Sequence, residues 1–283
     1  MVLSPMPAST LPTPASLTID NTDWLKSAAI ILVVIDHFGF FFVDNADWWS
    51  VLGRLAAPVF FFLMGFAHSR TVPAGWILLG VFLTLLESWN ASWSWVTPNI
   101  LLSLALVRIS RPLVQGLLQK YGWIAFALLV LALLVMLPVA ARIVDYGAEG
   151  WLWALFGLCQ RMYIDSVSDN IRQKQAQTQK PMLRLMTEPG PMRLIACLIA
   201  ASIYLWQEQL EFEFSIIQLA SCIFGICVLS LILVNFRRGP SRVQPRPPIA
   251  QALHFTGRRT LEIYAIQLAG AELIVKLFPD LAA

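Results

Sequence analysis

Nine apolar runs separated by polar breaks dominate the 283-residue chain, at residues 24–43, 50–68, 74–92, 97–109, 122–141, 149–164, 191–207, 213–236 and 258–276. A helix needs about 20 predominantly apolar residues to cross the roughly 30 Å hydrocarbon core of a bilayer. The only structures that span lipid are those that satisfy every backbone polar group internally. The pattern therefore predicts an all-α polytopic transmembrane helical bundle of about nine spans, with eight to ten as the range. Composition excludes a soluble domain: 58% of residues are hydrophobic and 13% charged, against about 25% charged in soluble proteins. Mean hydropathy is +0.67.

Charge orients the bundle, because Lys and Arg accumulate on the cytoplasmic side. Arg70, then Arg108, Arg111 and Lys120, then Arg161 to Arg193, then Arg237 to Arg259 fall on alternate breaks, on the side of Lys26. The opposite breaks hold Asp44 and Asp47, Glu87, Asp145 and Glu149, then Glu208, Glu211 and Glu213. The N-terminus is expected inside and the C-terminus outside. Tryptophan agrees: Trp24, Trp76 and Trp123 fall at expected inner ends and the other eight at or near outer ends, as an amphipathic ring prefers.

One transmembrane domain is expected over 23–276, with cytoplasmic loops at 165–191 and 237–248 and a short C-terminal tail at 277–283. Residues 1–22, rich in Ser, Thr and Pro without a basic or apolar leader region, read as a disordered cytoplasmic tail rather than a signal peptide. The fourth and sixth runs are short, which leaves each open to being tilted, re-entrant or extended by neighbouring polar residues; RISRPLVQGLLQKYG after the fourth reads as an interfacial helix. The basic loops serve topology and attraction to anionic lipid; binding of an anionic cofactor is the sharper alternative. Cys159, Cys197, Cys222 and Cys227 form no C-x-x-C pair and have no zinc-spaced histidines, so packed thiols are expected. No metal and no nucleic-acid partner is expected, and no Walker loop or HExxH helix is present.

Ionisable residues inside spans mark chemistry, a pathway or a paired internal network. The first span, WLKSAAIILVVIDHFGFFFV, carries Lys26 near its start and Asp36 and His37 in its outer half. Lys26 and His37, eleven residues apart, share a face about 16 Å apart along the axis. Asp36 points elsewhere, since adjacent helical residues do not face one another. Arg54, Glu87 and Asn99 reach the same outer level from the next three spans. Asp36 and Arg54 divide evenly between a structural ion pair and a chemical role. His37 is a suitable general base near pH 7, with a packed core histidine as the alternative.

The segments LKSAAIILVVIDHFGFFF and GRLAAPVFFFLMGFAHSRT, over residues 24–71, resemble the TraX family of membrane proteins. The Lys-x10-His spacing is also similar to a motif of the wider acyltransferase-3 membrane family. FTGRRTLEIYAIQL, from Phe255 to Leu268, resembles a helix common in those acyltransferases that often ends in His; Gln267 stands at that place here.

The resemblance implies an acetyl-CoA-dependent transferase in a bacterial inner membrane, moving an acetyl group to an acceptor on the outer side. The acceptor class would be a pilin or other peptide N-terminus, or a surface glycan. On that implication Lys26, Arg70, Arg258 and Arg259 would hold the anionic end of coenzyme A. His37 would be the base, Arg54 or Asn99 the oxyanion donor, Glu87 a partner of His37 or of an acceptor amine, and Asp36 a support for Arg54. The rival readings are a proton-coupled secondary transporter and a non-catalytic assembly factor for a pilus or other surface structure. Oligomeric state is not legible.

Overall fold

The structure, a computed structural model, describes residues 18–43, 47–69, 71–93, 96–140, 142–174, 189–278 and 280. Within them are eleven helices and no strand: α1 (Asn21–Phe42), α2 (Asp47–Gly53), α3 (Ala56–Phe66), α4 (Ala74–Asn90), α5 (Ile100–Tyr121), α6 (Trp123–Ala140), α7 (Gly147–Lys174), α8 (Pro189–Phe212), α9 (Ile216–Val234), α10 (Pro247–Arg258) and α11 (Thr260–Leu277). Six spans are long and apolar enough to cross a membrane, taking α2 and α3 as one unit: α1, α2–α3, α5, α6, α8 and α9. The shorter α4 is also apolar. α7 and α11 carry more charge, including Glu149, Arg161 and Asp165 on the former and Glu262, Glu272 and Lys276 on the latter.

The bundle is built around α3, whose sequence AAPVFFFLMGF is almost wholly buried. It lies hard against α7 because both helices place glycines at the crossing. A Cβ on Gly65 would strike the Ala154 carbonyl, one on Gly157 the Phe62 carbonyl, and one on Gly150 the Phe61 ring. Small residues of this kind let backbones approach where lipid supplies no hydrophobic drive. Phe61, Phe62, Trp153, Phe156 and Tyr204 fill the surrounding core and are each no more than 1% exposed.

The chain breaks between α2 and α3 for a reason written in the sequence. Pro58 has no N–H, and its ring crowds the carbonyl four residues earlier, which belongs to Arg54. Pro58 is accommodated in the first turn of α3, where backbone N–H groups have no intrahelical partner. The carbonyl it leaves free is taken by the Tyr204 hydroxyl of α8, which donates to Arg54 O at 2.7 Å. A helix interruption inside the bundle is thus re-satisfied by a neighbouring side chain.

Three sequence expectations change. The short fourth span and the interfacial helix are one 22-residue helix, α5, with Pro112 inside it and Gly122 at φ 55° ending it. At about 1.5 Å per residue, 22 residues match the hydrocarbon thickness. Arg111 is accordingly not a surface charge: it is 5% exposed, and its Nε donates to Gly65 O at 2.9 Å, completing the last turn of α3. Arg108 likewise lies within α5 rather than on a loop.

Second, a separate amphipathic helix, α10, precedes α11. It starts on Pro247 and Pro248, suited to a helix N-terminus. Third, the residues just before α1 are packed: Ile19 is fully buried, Asn21 N–H donates to Gly239 O at 3.0 Å and Ser241 N–H to Ile19 O at 2.8 Å. Residues 1–17 of the expected tail, and 175–188 of the expected 165–191 loop, lie outside the described residues; α7 itself continues to Lys174.

These contacts set the start of α1, the 237–246 segment and α10 at one end. Ser27 Oγ lies 2.6 Å from Thr256 Oγ1, and Gly257 lets α10 approach the Asp23 backbone. Asn90, Glu272, Asp145 and Asp47 gather at the other end, where Asn90 bonds Glu272 and Gln218 donates to Asp47. Cys159, Cys197 and Cys222 are buried free thiols, whereas the free Cys227 is exposed on the bundle surface.

Candidate active site

Two polar groups occupy the half of the bundle at the C-terminal end of α1, one on each side of that helix. Asp36 turns toward α2, where Gly53 makes room for it: a Cβ there would collide with the Asp36 side chain. At the α2–α3 break, Arg54 lies between two carboxylates, with Nη2 3.6 Å from Asp36 Oδ2 and Nε 3.6 Å from Glu208 Oε2. Its Nη1 donates to the Tyr146 hydroxyl at 3.3 Å, and its guanidinium carbon sits 4.4 Å from the Phe212 ring centroid, within cation–π range. Tyr146 reaches the arginine from a backbone at φ 57°, a conformation bulky L residues seldom adopt. Glu208 is 2% and Glu149 9% exposed. Burial pushes the Asp145 carboxyl, in the linker before α7, up to about 6, while Arg54 acts the other way.

On the far side of α1, His37 faces α11. Gln267 Nε2 lies 2.6 Å from His37 Nδ1, and the Tyr264 ring lies 5.9 Å from the imidazole, centroid to centroid. Tyr264 and Gln267, three residues apart, project from one face of α11. The Tyr264 hydroxyl accepts from Asn99 Nδ2 at 2.9 Å. Asn99 is the N-cap of α5: its Oδ1 accepts from Leu101 N–H at 3.1 Å, and its own N–H donates to Thr84 Oγ1 at 2.9 Å. Every direct partner in this group is neutral. His68, by contrast, is exposed after α3, and His254 lies on α10.

The sequence candidates sort accordingly. Asp36 and Arg54 meet each other, and His37 joins Asn99 through Tyr264. Glu87 is half-buried, with Glu272 and Asp145 as the acidic groups in its electrostatic range, and makes no hydrogen bond to His37. Near the start of α1 the charges acting on Lys26 are Asp23, Arg238 and Arg108. Arg258 and Arg259 project exposed at the α10–α11 junction, Arg259 over the Phe255 ring. Arg70 lies outside the described residues. Sequence reasoning missed Arg108 and Arg238 as companions of Lys26, and Tyr146, Tyr204, Glu208 and Tyr264 in the two polar groups flanking α1. The Pro58 offset from Arg54 was the available signal that a partner for a freed carbonyl must exist.

The family model described as TraX protein matches residues 21–168, more than half of the chain. The chain belongs to the TraX family. An uncharacterized protein of Rickettsia prowazekii (strain Madrid E) is 26% identical over 130 residues, covering 44% of this chain and 50% of that protein. The chain thus spans about half the length of the curated relative it matches. No solved structure matches. The TraX segment contains Lys26, Asp36, His37, Arg54, Glu87 and Asn99, whereas the side chains that complete both polar groups, Tyr204, Glu208, Tyr264 and Gln267, come from beyond it. The likeness to acyltransferase-3 proteins rests on the residue spacings alone.

Proposed function

We propose that this TraX protein is a membrane-embedded transferase that moves an acetyl group from cytoplasmic acetyl-CoA to an amine or hydroxyl on the outer side of a bacterial inner membrane. The acceptor class is a pilin or other peptide N-terminus, or a surface glycan. The observation that carries the reading is His37: a half-buried histidine within the TraX segment, held by a neutral amide near the C-terminal end of α1.

The amide matters for the chemistry. A histidine is a base only at a ring nitrogen without a proton, so Nε2 can accept a proton when Nδ1 carries one. The two ends of a carboxamide have nearly the same shape, so Gln267 can turn its carbonyl to accept from Nδ1–H and leave Nε2 free. Lys26, Arg108 and Arg238 supply positive charge for the phosphates of coenzyme A at the inner end. The 16 Å or so along α1 to His37 is within the span of an extended pantetheine arm. The acceptor nitrogen or oxygen loses its proton to His37 and attacks the thioester carbon; the carbon–sulfur bond then breaks and the proton passes to the departing thiolate.

The test is acetyl transfer from labelled acetyl-CoA by purified, folded protein. His37→Ala should abolish it to within background; turnover at the normal rate refutes the base assignment. Lys26→Ala should weaken CoA binding more than it slows turnover, and the reverse pattern removes Lys26 from the donor site.

One observation favours a second reading. Asp36 and Glu208 flank Arg54, and among the described residues Asp36 Oδ1, Glu208 Oε2 and the buried Glu149 Oε2 have no hydrogen-bond partner, an arrangement suited to a proton-coupled carrier. Proton flux in proteoliposomes without CoA turnover would select it.

A further inference from the structure

The proposed transfer needs a group to stabilise the negative charge that develops on the thioester oxygen, and such stabilisation is usually the largest single contribution to catalysis. The two donors expected from the sequence are both engaged elsewhere. Arg54 is held by Asp36, Glu208 and Tyr146 on the opposite side of α1. Asn99 uses its carbonyl to cap α5 and its amide nitrogen to donate to Tyr264.

The Tyr264 hydroxyl is in a different condition. It accepts from Asn99, which polarises its O–H, and among the described residues that O–H has no acceptor of its own. Its ring stands beside His37, one helical turn from Gln267, so α11 would orient the base and polarise the carbonyl from adjacent positions. Asn99, fixed by the helix N-terminus it caps and by Thr84, holds the hydroxyl in place.

We propose that Tyr264 is a catalytic residue, the oxyanion donor, with Asn99 as its positioning residue; the proposal rests on the acyltransferase reading given above. When the acceptor attacks, its lone pair forms the new bond to the carbonyl carbon and the π pair moves onto oxygen. That oxygen accepts the Tyr264 hydrogen bond, which shortens but transfers no proton. On collapse the pair returns, the carbon–sulfur bond breaks, and the proton held by His37 passes to the CoA thiolate.

The test uses the full-length chain in detergent and follows release of CoA thiol from acetyl-CoA, with tri-alanine and methyl glucoside as amine and hydroxyl acceptor probes. Tyr264→Phe keeps the ring and removes the hydroxyl. It should lower kcat by about 10²- to 10³-fold while leaving acetyl-CoA binding within about twofold. A second readout separates charge stabilisation from packing. With the dithioester analogue of acetyl-CoA, whose thiocarbonyl accepts hydrogen bonds weakly, the wild type should slow strongly and Tyr264→Phe should lose that preference for oxygen.

An unchanged kcat in Tyr264→Phe, or a full oxygen preference in it, overturns the Tyr264 assignment alone, provided that wild type is active and His37→Ala is not. A wild type silent with both probes overturns the acyltransferase reading itself and this assignment with it. Should the Phe variant not fold, 3-fluorotyrosine at position 264 keeps the hydroxyl and strengthens it as a donor. The oxygen preference should then rise, and an unaltered preference overturns the proposal.

Discussion

The two polar groups flanking α1 differ in what surrounds the residue at their centre. Around Arg54, charges meet charges: carboxylates from α1 and α8 converge on one guanidinium, tyrosines close the sides, and Gly53 is shaped to admit Asp36. Around His37 the partners are an amide and a phenol. In a low-dielectric interior a charged set of this kind resists rearrangement, because loss of one member strands the others. A neutral set strands no charge when one of its members is replaced. On the proposed reading, the first group holds the helices in place and the second carries the chemistry.

The sharpest break of that comparison pairs two substitutions. Arg54→Ala should destabilise the protein by about 3–5 kcal/mol by leaving Asp36 and Glu208 uncompensated, whereas His37→Ala should leave thermal unfolding in detergent essentially unmoved. Equal losses of stability would erase the distinction. Replacing Arg54, Asp36 and Glu208 together with apolar residues of similar size should restore much of the stability, and failure to do so would mean that the cluster does more than hold helices.

A smaller effect sharpens the His37 side. Gln267→Leu should cut transfer about tenfold to a hundredfold through loss of imidazole orientation, while Gln267→Glu, which still accepts from Nδ1–H, should keep most of it. Activity equal to wild type in Gln267→Leu would show that the contact does not set the base.

The smallest effect concerns the rim of the charged group. The folded carboxyl of Asp145 titrates near 6, above the ordinary value of about 3.9. The native state therefore binds more protons than the unfolded state between those values, and this group's contribution to stability falls as pH rises through that window. Asp145→Asn removes the penalty. It should raise stability at pH 7 on the order of 1 kcal/mol, after allowing for partial exposure, and the gain should vanish near pH 4. A gain constant across that range would place its origin in packing.

The apolar runs made the bundle legible, because lipid imposes one demand on every span. The divergence of Asp36 and His37 was readable from helical periodicity. The union of the fourth span with the helix after it was not: Pro112 and the arginines beside it read as an end, yet Arg111 is buried where it completes the last turn of α3. Contacts across the chain were also hidden. Gln267 and His37 are separated by 230 positions, and Asn99 and Tyr264 by 165; no local pattern encodes such meetings. Arg108 and Arg238 were not legible as companions of Lys26, because α5 and the 237–246 segment bring them to it from elsewhere in the chain.

The proline-induced interruption at Arg54 has a consequence for how the protein is made. The carbonyl freed by Pro58 finds its partner in Tyr204, 150 residues later in the chain. During synthesis, α2 and α3 enter the bilayer long before α8 exists. Until that helix arrives, the kink is an unfinished joint, with a bare backbone oxygen and an arginine facing lipid or the translocation machinery. The eighth helix is therefore the keystone of biogenesis, and nascent chains that stop short of it should be the ones quality control removes first.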